Sequence, residues 1–288
     1  MTAIEFSDVT YSYDSTEKER RAALNRVSFK IEEGEYVCVV GHTGSGKTTI
    51  LKLLGGILRP TYGNIYVGGV SILKEKNPFR SVLKEIGFVF QNPSYQLFEE
   101  TVFLDIAFGP RNFGLKEEEV EKRVKDALDM VGLDEKILKK SPFELSGGQK
   151  RRVAIAGVIA TKPKILLLDE PTCGLDPAGK EKILGIIKKY NLEEKATVVV
   201  VTHNMEDIFS YADRILVLKR GEVFSYLGVE ETFKRSDELQ NIGLDIPDIT
   251  KVFLKLKSMG LLEKSSIYSV EEAVNFLKNI LLKKEKKF

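Results

Sequence analysis

The part of the sequence best suited to chemistry is the octapeptide at residues 41–48, which reads GHTGSGKT. It fits the template G-x-x-x-x-G-K-[ST], in which a glycine-rich loop turns main-chain N–H groups toward phosphate. In that template the lysine, here Lys47, reaches the β- and γ-phosphates, and the last hydroxyl, here Thr48, holds Mg²⁺. The alternative is a chance glycine turn between a strand and a helix. The residues expected to bind nucleotide are Gly41, His42, Thr43, Gly44, Ser45, Gly46, Lys47, Thr48 and Thr49.

Two adjacent carboxylates, Asp169 and Glu170, follow a run of four apolar residues at positions 165–168. The run predicts a buried strand, so both acids are expected at its carboxyl end. Asp169 suits contact with Mg²⁺, directly or through water, and Glu170 suits the polarising of an attacking water. Paired buried acids cost free energy unless a metal ion or hydrogen bonds compensate them, which argues against a purely structural role.

Two further polar residues stand at the ends of predicted strands. Gln91 follows the short apolar segment 86–90, and His203 follows the segment 197–202. Ligands of open α/β sheets lie beyond the carboxyl ends of the strands, so Gln91 is placed to reach a metal ion or water. His203 is placed to hydrogen-bond a γ-phosphate, whereas His42 is expected to offer mainly its main chain. Taken alone, a glutamine or histidine in such a position is more often structural.

Tyr11 and Tyr13 end the first predicted strand, which spans residues 4–13 and alternates apolar with polar side chains. An aromatic face accepts a stacked base, so one of the two rings could bind adenine. Tyr13 is the preferred candidate because it lies nearer the turn. Packing of an edge-strand ring on the core is an equal alternative.

The segment Ser146-Gly147-Gly148-Gln149 opens a predicted helix at residues 150–161. A serine and two glycines at a helix N-terminus make a second potential anion site. Further along, residues 174–177 predict a turn into another helix and contain Asp176.

The elements around these residues read as an α/β protein. Apolar runs at 36–40, 86–90, 165–168 and 197–202 predict buried parallel strands, and the start of the chain predicts an antiparallel sheet interrupted by a charged loop at 14–21. The segment 97–113 is predicted to be helical and unusually apolar, with phenylalanines that cannot all share one stripe. Burial in the core and docking of a partner remain equal alternatives for it.

The composition excludes several classes of protein. A net charge of +2 over 288 residues gives no electrostatic reason to expect a nucleic-acid partner. The two cysteines are too few and too scattered for a disulfide framework or a cysteine metal site. The sequence shows no signal peptide and no apolar run near the ~20 residues of a membrane helix. If the protein serves a membrane, another chain must provide the membrane part.

Taken in order, the phosphate loop, Gln91, residues 145–149, Asp169 with Glu170, Asp176 and His203 resemble the ATP-binding cassette (ABC) ATPases over about residues 3–228. The resemblance implies a P-loop NTPase fold with a RecA-like parallel sheet core, an antiparallel β subdomain and a helical subdomain. The nucleotide-binding domain would span residues 1–235, with the helical subdomain at about 92–160. The cofactors implied are ATP and Mg²⁺.

The resemblance also implies a head-to-tail sandwich dimer of two ATPase subunits, identical or related. Ser146 and Gly148 of one subunit, with Gly147 and Gln149 beside them, would close on ATP held by the other. Glu170 would orient the water, His203 would contact the γ-phosphate, and Asp176 would link the two sites.

A finer resemblance rests on residues 91–98 and 101–110, which are similar to the ATPase subunit of energy-coupling-factor importers. That group takes up vitamins and transition-metal ions in prokaryotes and carries a C-terminal extension, matched here by a predicted small helical domain at 236–288. The resemblance implies a place on the cytoplasmic face of the membrane. It also implies a membrane coupling subunit docked near Gln91–Pro110 and, through the complex, a substrate-binding membrane subunit. The alternatives are the ATPase of another ABC transporter or an ABC ATPase without a transport function.

Overall fold

The computed structural model describes residues 1–13, 22–73, 84–262 and 267–285. The predicted charged loop at 14–21 lies outside these residues. None of the helices in the described ranges combines the length and the apolar character needed to cross a membrane.

The core is a six-stranded sheet with the order β10-β9-β3-β8-β7-β6. Five of its strands run parallel, and β10 joins β9 as an antiparallel edge hairpin. The central strands are the apolar runs of the sequence, and they are buried because both faces of the sheet are covered. The strands are β3 (Tyr36–Gly41), β6 (Ile86–Val89), β7 (Ile165–Asp169), β8 (Thr197–Val201), β9 (Arg214–Lys219) and β10 (Glu222–Gly228).

A second, antiparallel sheet has the order β2-β1-β4-β5. Its strand β2 alternates buried and exposed residues, as expected for a sheet with one face on the core. The strands are β1 (Thr2–Tyr11), β2 (Leu24–Glu32), β4 (Tyr62–Val67) and β5 (Val70–Ser71). The predicted first strand therefore ends two residues early, and Tyr13 lies just beyond it.

Strand β3 separates two hydrophobic clusters, because successive side chains of a strand point to opposite faces. Val37 and Val39 pack with the antiparallel sheet and with helix α1 (Lys47–Leu54). Cys38 and Val40 pack with the helices on the other face. The phosphate loop and α1 are thus held between the two sheets.

Three helices pack against one another where the helical subdomain is predicted: α2 (Val102–Asn112), α3 (Glu117–Met130) and α4 (Gly147–Ile159). The prediction that α2 begins near Leu97 is wrong. Thr101 caps the helix by accepting from the Leu104 N–H at 3.3 Å, and the residues before it form a turn. The Asp105 carboxylate accepts the N–H groups of Phe98 and Glu99, which holds this turn against the helix.

The other α-helices within the described residues are α5 (Pro177–Glu194), α6 (Met205–Tyr211), α7 (Val229–Lys234), α8 (Ser236–Asn241), α9 (Asp248–Ser258) and α10 (Val270–Glu285). Leu239, Leu244 and Ile246 pack into the larger hydrophobic cluster of the six-stranded sheet. Phe253 and Ile267 belong to a small cluster of their own. The domain boundary near residue 235 stays a prediction.

Candidate nucleotide site

The phosphate loop joins β3 to the N-terminus of α1 through a backbone that only glycine adopts easily. Gly41, Gly44 and Gly46 have φ values of 155°, 79° and 105°. A Cβ on Gly46 would lie 2.5 Å from a methyl group of Leu24, whereas a Cβ on Gly44 would meet nothing within 4 Å. The loop is therefore packed on its inner side and open on its outer side, as a phosphate cradle must be.

Lys47 reaches back across this loop. Its Nζ donates to the carbonyl oxygens of Gly41 at 2.7 Å and His42 at 2.9 Å. Burial lowers the pKa of Lys47, while the nearby carboxylates of Glu170 and Asp169 oppose the shift. Among the described residues the ammonium group has no ion-pair partner, so it is available to bind an anion.

Asp169 lies at the end of β7 beside Thr48, and the Thr48 hydroxyl donates to its carboxylate at 3.5 Å. Asp169 is only 8% exposed, and burial raises its pKa. A carboxylate and a hydroxyl are the hard oxygen donors that Mg²⁺ prefers. These two residues therefore fit a magnesium ion next to the phosphate loop.

Glu170 has the left-handed backbone with φ 47°, a conformation that costs free energy for a non-glycine residue. Its carboxylate lies between two side chains. The Gln91 amide donates to one oxygen at 3.0 Å, and Nδ1 of His203 lies 3.3 Å from the other. The sequence predicted all three residues at this edge of the sheet, and the structure brings them together. The predicted contacts of Gln91 with the metal and of His203 with the γ-phosphate stay predictions.

Ser146 caps α4 in a reciprocal arrangement with Gln149. The Ser146 hydroxyl accepts the Gln149 N–H at 3.3 Å, and the Gln149 side chain accepts the Ser146 N–H at 3.1 Å. A Cβ on Gly147 or Gly148 would meet nothing within 4 Å, so this helix end faces open space. Asp176 similarly caps α5 by accepting the Gly179 N–H at 3.1 Å.

Tyr13 contacts helix α1, which follows the phosphate loop. Its hydroxyl is 3.1 Å from that of Thr49 in α1, and its ring meets the ring of Tyr11 edge-on at 4.9 Å. The first contact places Tyr13 beside the helix that follows the phosphate loop. Stacking on adenine stays a prediction.

Comparison with known proteins agrees with this geometry. The family model described as ABC transporter matches residues 24–173. The energy-coupling factor transporter ATP-binding protein EcfA2 of Caldanaerobacter subterraneus is 47% identical over 94% of this chain and 94% of its own length. The protein of the same name from Clostridium perfringens is 46% identical over 97% of this chain and 98% of its own. The chain belongs to the ABC transporter ATPases.

Solved structures of this family share the fold. The structure of cbiO1 from Clostridium perfringens, described as part of the ABC transporter complex cbiONQ, aligns with a TM-score of 0.74 at 34% identity and covers 86% of this chain and 97% of that one. A dimeric bacterial ABC transporter cassette aligns with a TM-score of 0.71 at 35% identity, over 78% of this chain and 98% of that one. The fold class predicted from the sequence is confirmed.

As a member of this family, the chain is an enzyme whose hydrolysis of ATP is coupled to transport. The two relatives named above, and a third from Geobacillus kaustophilus that matches 97% of this chain at 44% identity, are energy-coupling factor transporter ATP-binding proteins. The finer resemblance to that group is therefore confirmed as well.

Sequence reasoning missed one residue beside Glu170, which is Arg151, and one side-chain contact of His42, which was expected to offer mainly its main chain. Arg151, in the second turn of α4, is buried and donates to main-chain carbonyls of two loops beside Glu170. His42 uses its imidazole as well as its main chain, since Nε2 contacts the carbonyl of Ile242, just after α8. The only sequence signal for Arg151 was an arginine on the apolar side of a helix, and the contact of His42 spans 200 residues.

Proposed function

We propose that this chain is the ATPase subunit of an energy-coupling-factor importer that takes up a vitamin or a transition-metal ion. The observation that carries the proposal is the Glu170 carboxylate, held between Gln91 and His203 beside the phosphate loop. A carboxylate so fixed is suited to orienting the water that attacks ATP. The resemblance of residues 91–110 and the relatives named EcfA2 support the importer class.

In this proposal the loop N–H groups and Lys47 bind the β- and γ-phosphates. The Lys47 ammonium would exchange its two carbonyl contacts for phosphate oxygens, which carry a full charge and bind it more strongly. Mg²⁺ held by Thr48 and Asp169 would neutralise charge on the transferred phosphoryl group. Tyr13 would stack on the adenine.

Glu170 accepts a hydrogen bond from the attacking water and so aims its oxygen at the γ-phosphate. Gln91 and His203 restrict the carboxylate from both sides, which reduces the entropy lost on reaching the reactive geometry. His203 can then contact the γ-phosphate through its second ring nitrogen.

The site of one chain is completed by a second ATPase subunit. Ser146, Gly147 and Gly148 present an open helix N-terminus to solvent, where a partner's nucleotide can approach the N–H groups. Asp176, at the start of α5, would lie at the same interface. A related structure of a bacterial cassette is described as dimeric, which supports this arrangement.

The membrane coupling subunit would dock on the turn before α2. A cavity of about 300 Å³ lies between this turn and helices α2 and α4. Phe98 and Phe108 line its rim with 57% and 43% of their surfaces exposed, and their rings meet edge-on at 4.9 Å. An apolar cavity of this shape fits a short helix from the cytoplasmic side of a membrane protein. The chain would therefore work on the cytoplasmic face of the membrane, next to a substrate-binding membrane subunit.

The role of Glu170 is tested by Glu170→Gln in the full chain. The variant keeps the size of the side chain and one oxygen that can accept from Gln91 but loses the charge, so ATP turnover should fall by about a hundredfold or more while ATP binding is retained. Glu206→Gln, which alters a carboxylate in the first turn of α6, is the control and should hydrolyse ATP normally. Normal hydrolysis by Glu170→Gln would refute the assignment.

The importer class is tested by purifying the tagged chain from membranes and identifying the copurifying proteins by mass spectrometry. Small substrate-binding membrane proteins support the energy-coupling type. The permease of a transporter with a separate soluble binding protein contradicts it.

A further inference from the structure

Arg151 occupies an unusual place for a charged side chain. It follows the Ser146–Gln149 segment in α4 but points into the protein, and only 5% of its surface is exposed. One terminal nitrogen of its guanidinium donates to the main-chain carbonyl of Gln91. The other donates to the main-chain carbonyl of Cys173 at 3.2 Å. Arg151 therefore ties one helix to two separate loops.

Both loops contact Glu170 directly. The Gln91 side chain donates to the Glu170 carboxylate at 3.0 Å, and the Cys173 N–H donates to the Glu170 carbonyl at 3.1 Å. Arg151, Gln91, Glu170 and Cys173 therefore form a closed ring of hydrogen bonds. Within this ring, the guanidinium fixes the main chain on both sides of the carboxylate.

The ring is costly to build. Burial disfavours the charged guanidinium and lowers the pKa of Arg151. Its Nε–H is buried and has no hydrogen-bond partner among the described residues. Both of its hydrogen bonds there go to neutral carbonyls. An apolar residue of similar volume would fill the space without this cost, so packing alone does not account for an arginine.

We propose that Arg151 is a positioning residue for ATP hydrolysis, holding the Gln91 main chain where its amide meets Glu170. The inference rests on the roles proposed above for Glu170 and Gln91. A planar guanidinium can donate to two carbonyls in fixed directions at once, and a lysine ammonium cannot reproduce that fork. In this proposal Arg151 acts through the main chain of Gln91 and not by contact with the reacting atoms.

The test is the steady-state kinetics of Arg151→Lys in the full-length ATPase. The variant keeps the charge and loses the fork, so kcat should fall about ten- to a hundredfold, whereas KM for ATP should change less than about threefold. Arg152→Lys is the matched control, because Arg152 is the next residue of α4 and donates to the carbonyl of Gly132, away from Glu170. It should leave kcat within about twofold of the wild type. If Arg151→Lys lowers kcat no more than Arg152→Lys does, the inference is wrong.

A double-mutant cycle separates positioning from a general loss of stability. In a Gln91→Ala background the amide that Arg151 positions is gone, so Arg151→Lys should lower kcat by less than about threefold. All kcat values are normalised to the amount of protein that binds ATP, which removes unfolded material from the comparison. An undiminished effect in that background overturns the positioning role.

Glu170→Gln is measured in the same series. If it hydrolyses ATP normally, the proposed role of Glu170 falls, and the inference falls with it. If it is inactive while Arg151→Lys matches Arg152→Lys, only the inference about Arg151 is refuted.

Discussion

Asp169 and Glu170 are neighbours in the sequence, yet the fold gives their carboxylates different surroundings. Asp169 ends a buried strand beside a threonine hydroxyl, and burial raises its pKa. Glu170 turns out of the strand through a left-handed backbone and meets an amide and an imidazole. Two carboxylates with such different environments are suited to different tasks, one to a metal ion and one to a water.

The burial of Asp169 predicts a stability gain in Asp169→Asn. Because the folded state raises the pKa above the ordinary 3.8, it holds the proton more tightly than the unfolded chain does. Asp169 therefore contributes fully to the free energy of unfolding below the ordinary pKa of 3.8. This contribution is lost as the pH rises through the raised pKa of the folded protein. At pH 7 and without nucleotide, the melting temperature of Asp169→Asn should be a few degrees higher than that of the wild type, and this difference should vanish at about pH 4.

Thermal unfolding followed by circular dichroism measures this. Asp126→Asn, at an exposed position of α3, is the control and should not change the melting temperature. With Mg²⁺-ATP present the order should reverse, because ligand binding stabilises only a protein with an intact site. A lower melting temperature of Asp169→Asn at pH 7 without nucleotide contradicts the account.

At the scale of elements, the sequence predicted the buried strands and the motif residues at their ends, because both depend on local sequence patterns. The buried runs became β3, β6, β7 and β8, and their ends carry Gln91, Asp169 and His203 as expected. These features are local, since apolar runs form strands and parallel strands align their carboxyl ends.

What the sequence did not predict depends on tertiary contacts. The sequence predicted that residues 97–101 begin a helix, but the Asp105 carboxylate accepts the N–H groups of Phe98 and Glu99 and Thr101 caps the helix instead. The Arg151 contacts join three elements far apart in the chain, and no spacing reveals them.

The proposed docking role of the turn before α2 can be tested by mutation of Phe98. Phe98→Asp places a charge on the rim of the apolar cavity, so association with the proposed membrane coupling subunit should weaken by about tenfold or more. The side chain is 57% exposed, so the isolated ATPase should keep its fold and its nucleotide binding. Copurification from membranes and ATP binding by the soluble chain measure the two effects.

Leu192→Asp is the control for that experiment, because Leu192 is 66% exposed near the end of α5. It should copurify like the wild type. Equal loss of association in both variants would mean that charge on the surface, and not the cavity, causes the effect.

At the scale of the whole molecule, the proposed dimer requires one chain to carry two unlike halves of a nucleotide site. Lys47 interacts electrostatically with Glu170 beside the phosphate loop, whereas the N-terminus of α4 is open and makes its own capping bonds. A chain built this way should bind ATP alone and hydrolyse it well only when a second chain supplies its α4 N-terminus.

Mixing two inactive variants tests whether the halves come from different chains. Lys47→Ala removes the phosphate contact of the loop. Gly148→Asp places a negative charge at the open N-terminus of α4, where its Cβ meets nothing within 4 Å, so the helix is not disturbed.

Each variant alone should be nearly inactive. In a mixed dimer one site combines both defects, and the other has an intact loop from one chain and an intact α4 from the other. An equal mixture should recover up to about a quarter of wild-type hydrolysis, since about half of the dimers are mixed and each has one intact site. A double variant with both changes in one chain, mixed with either single variant, has no intact pair and should recover nothing. Failure of the two single variants to complement, with dimers shown to form by sedimentation, would mean that each chain completes its own site.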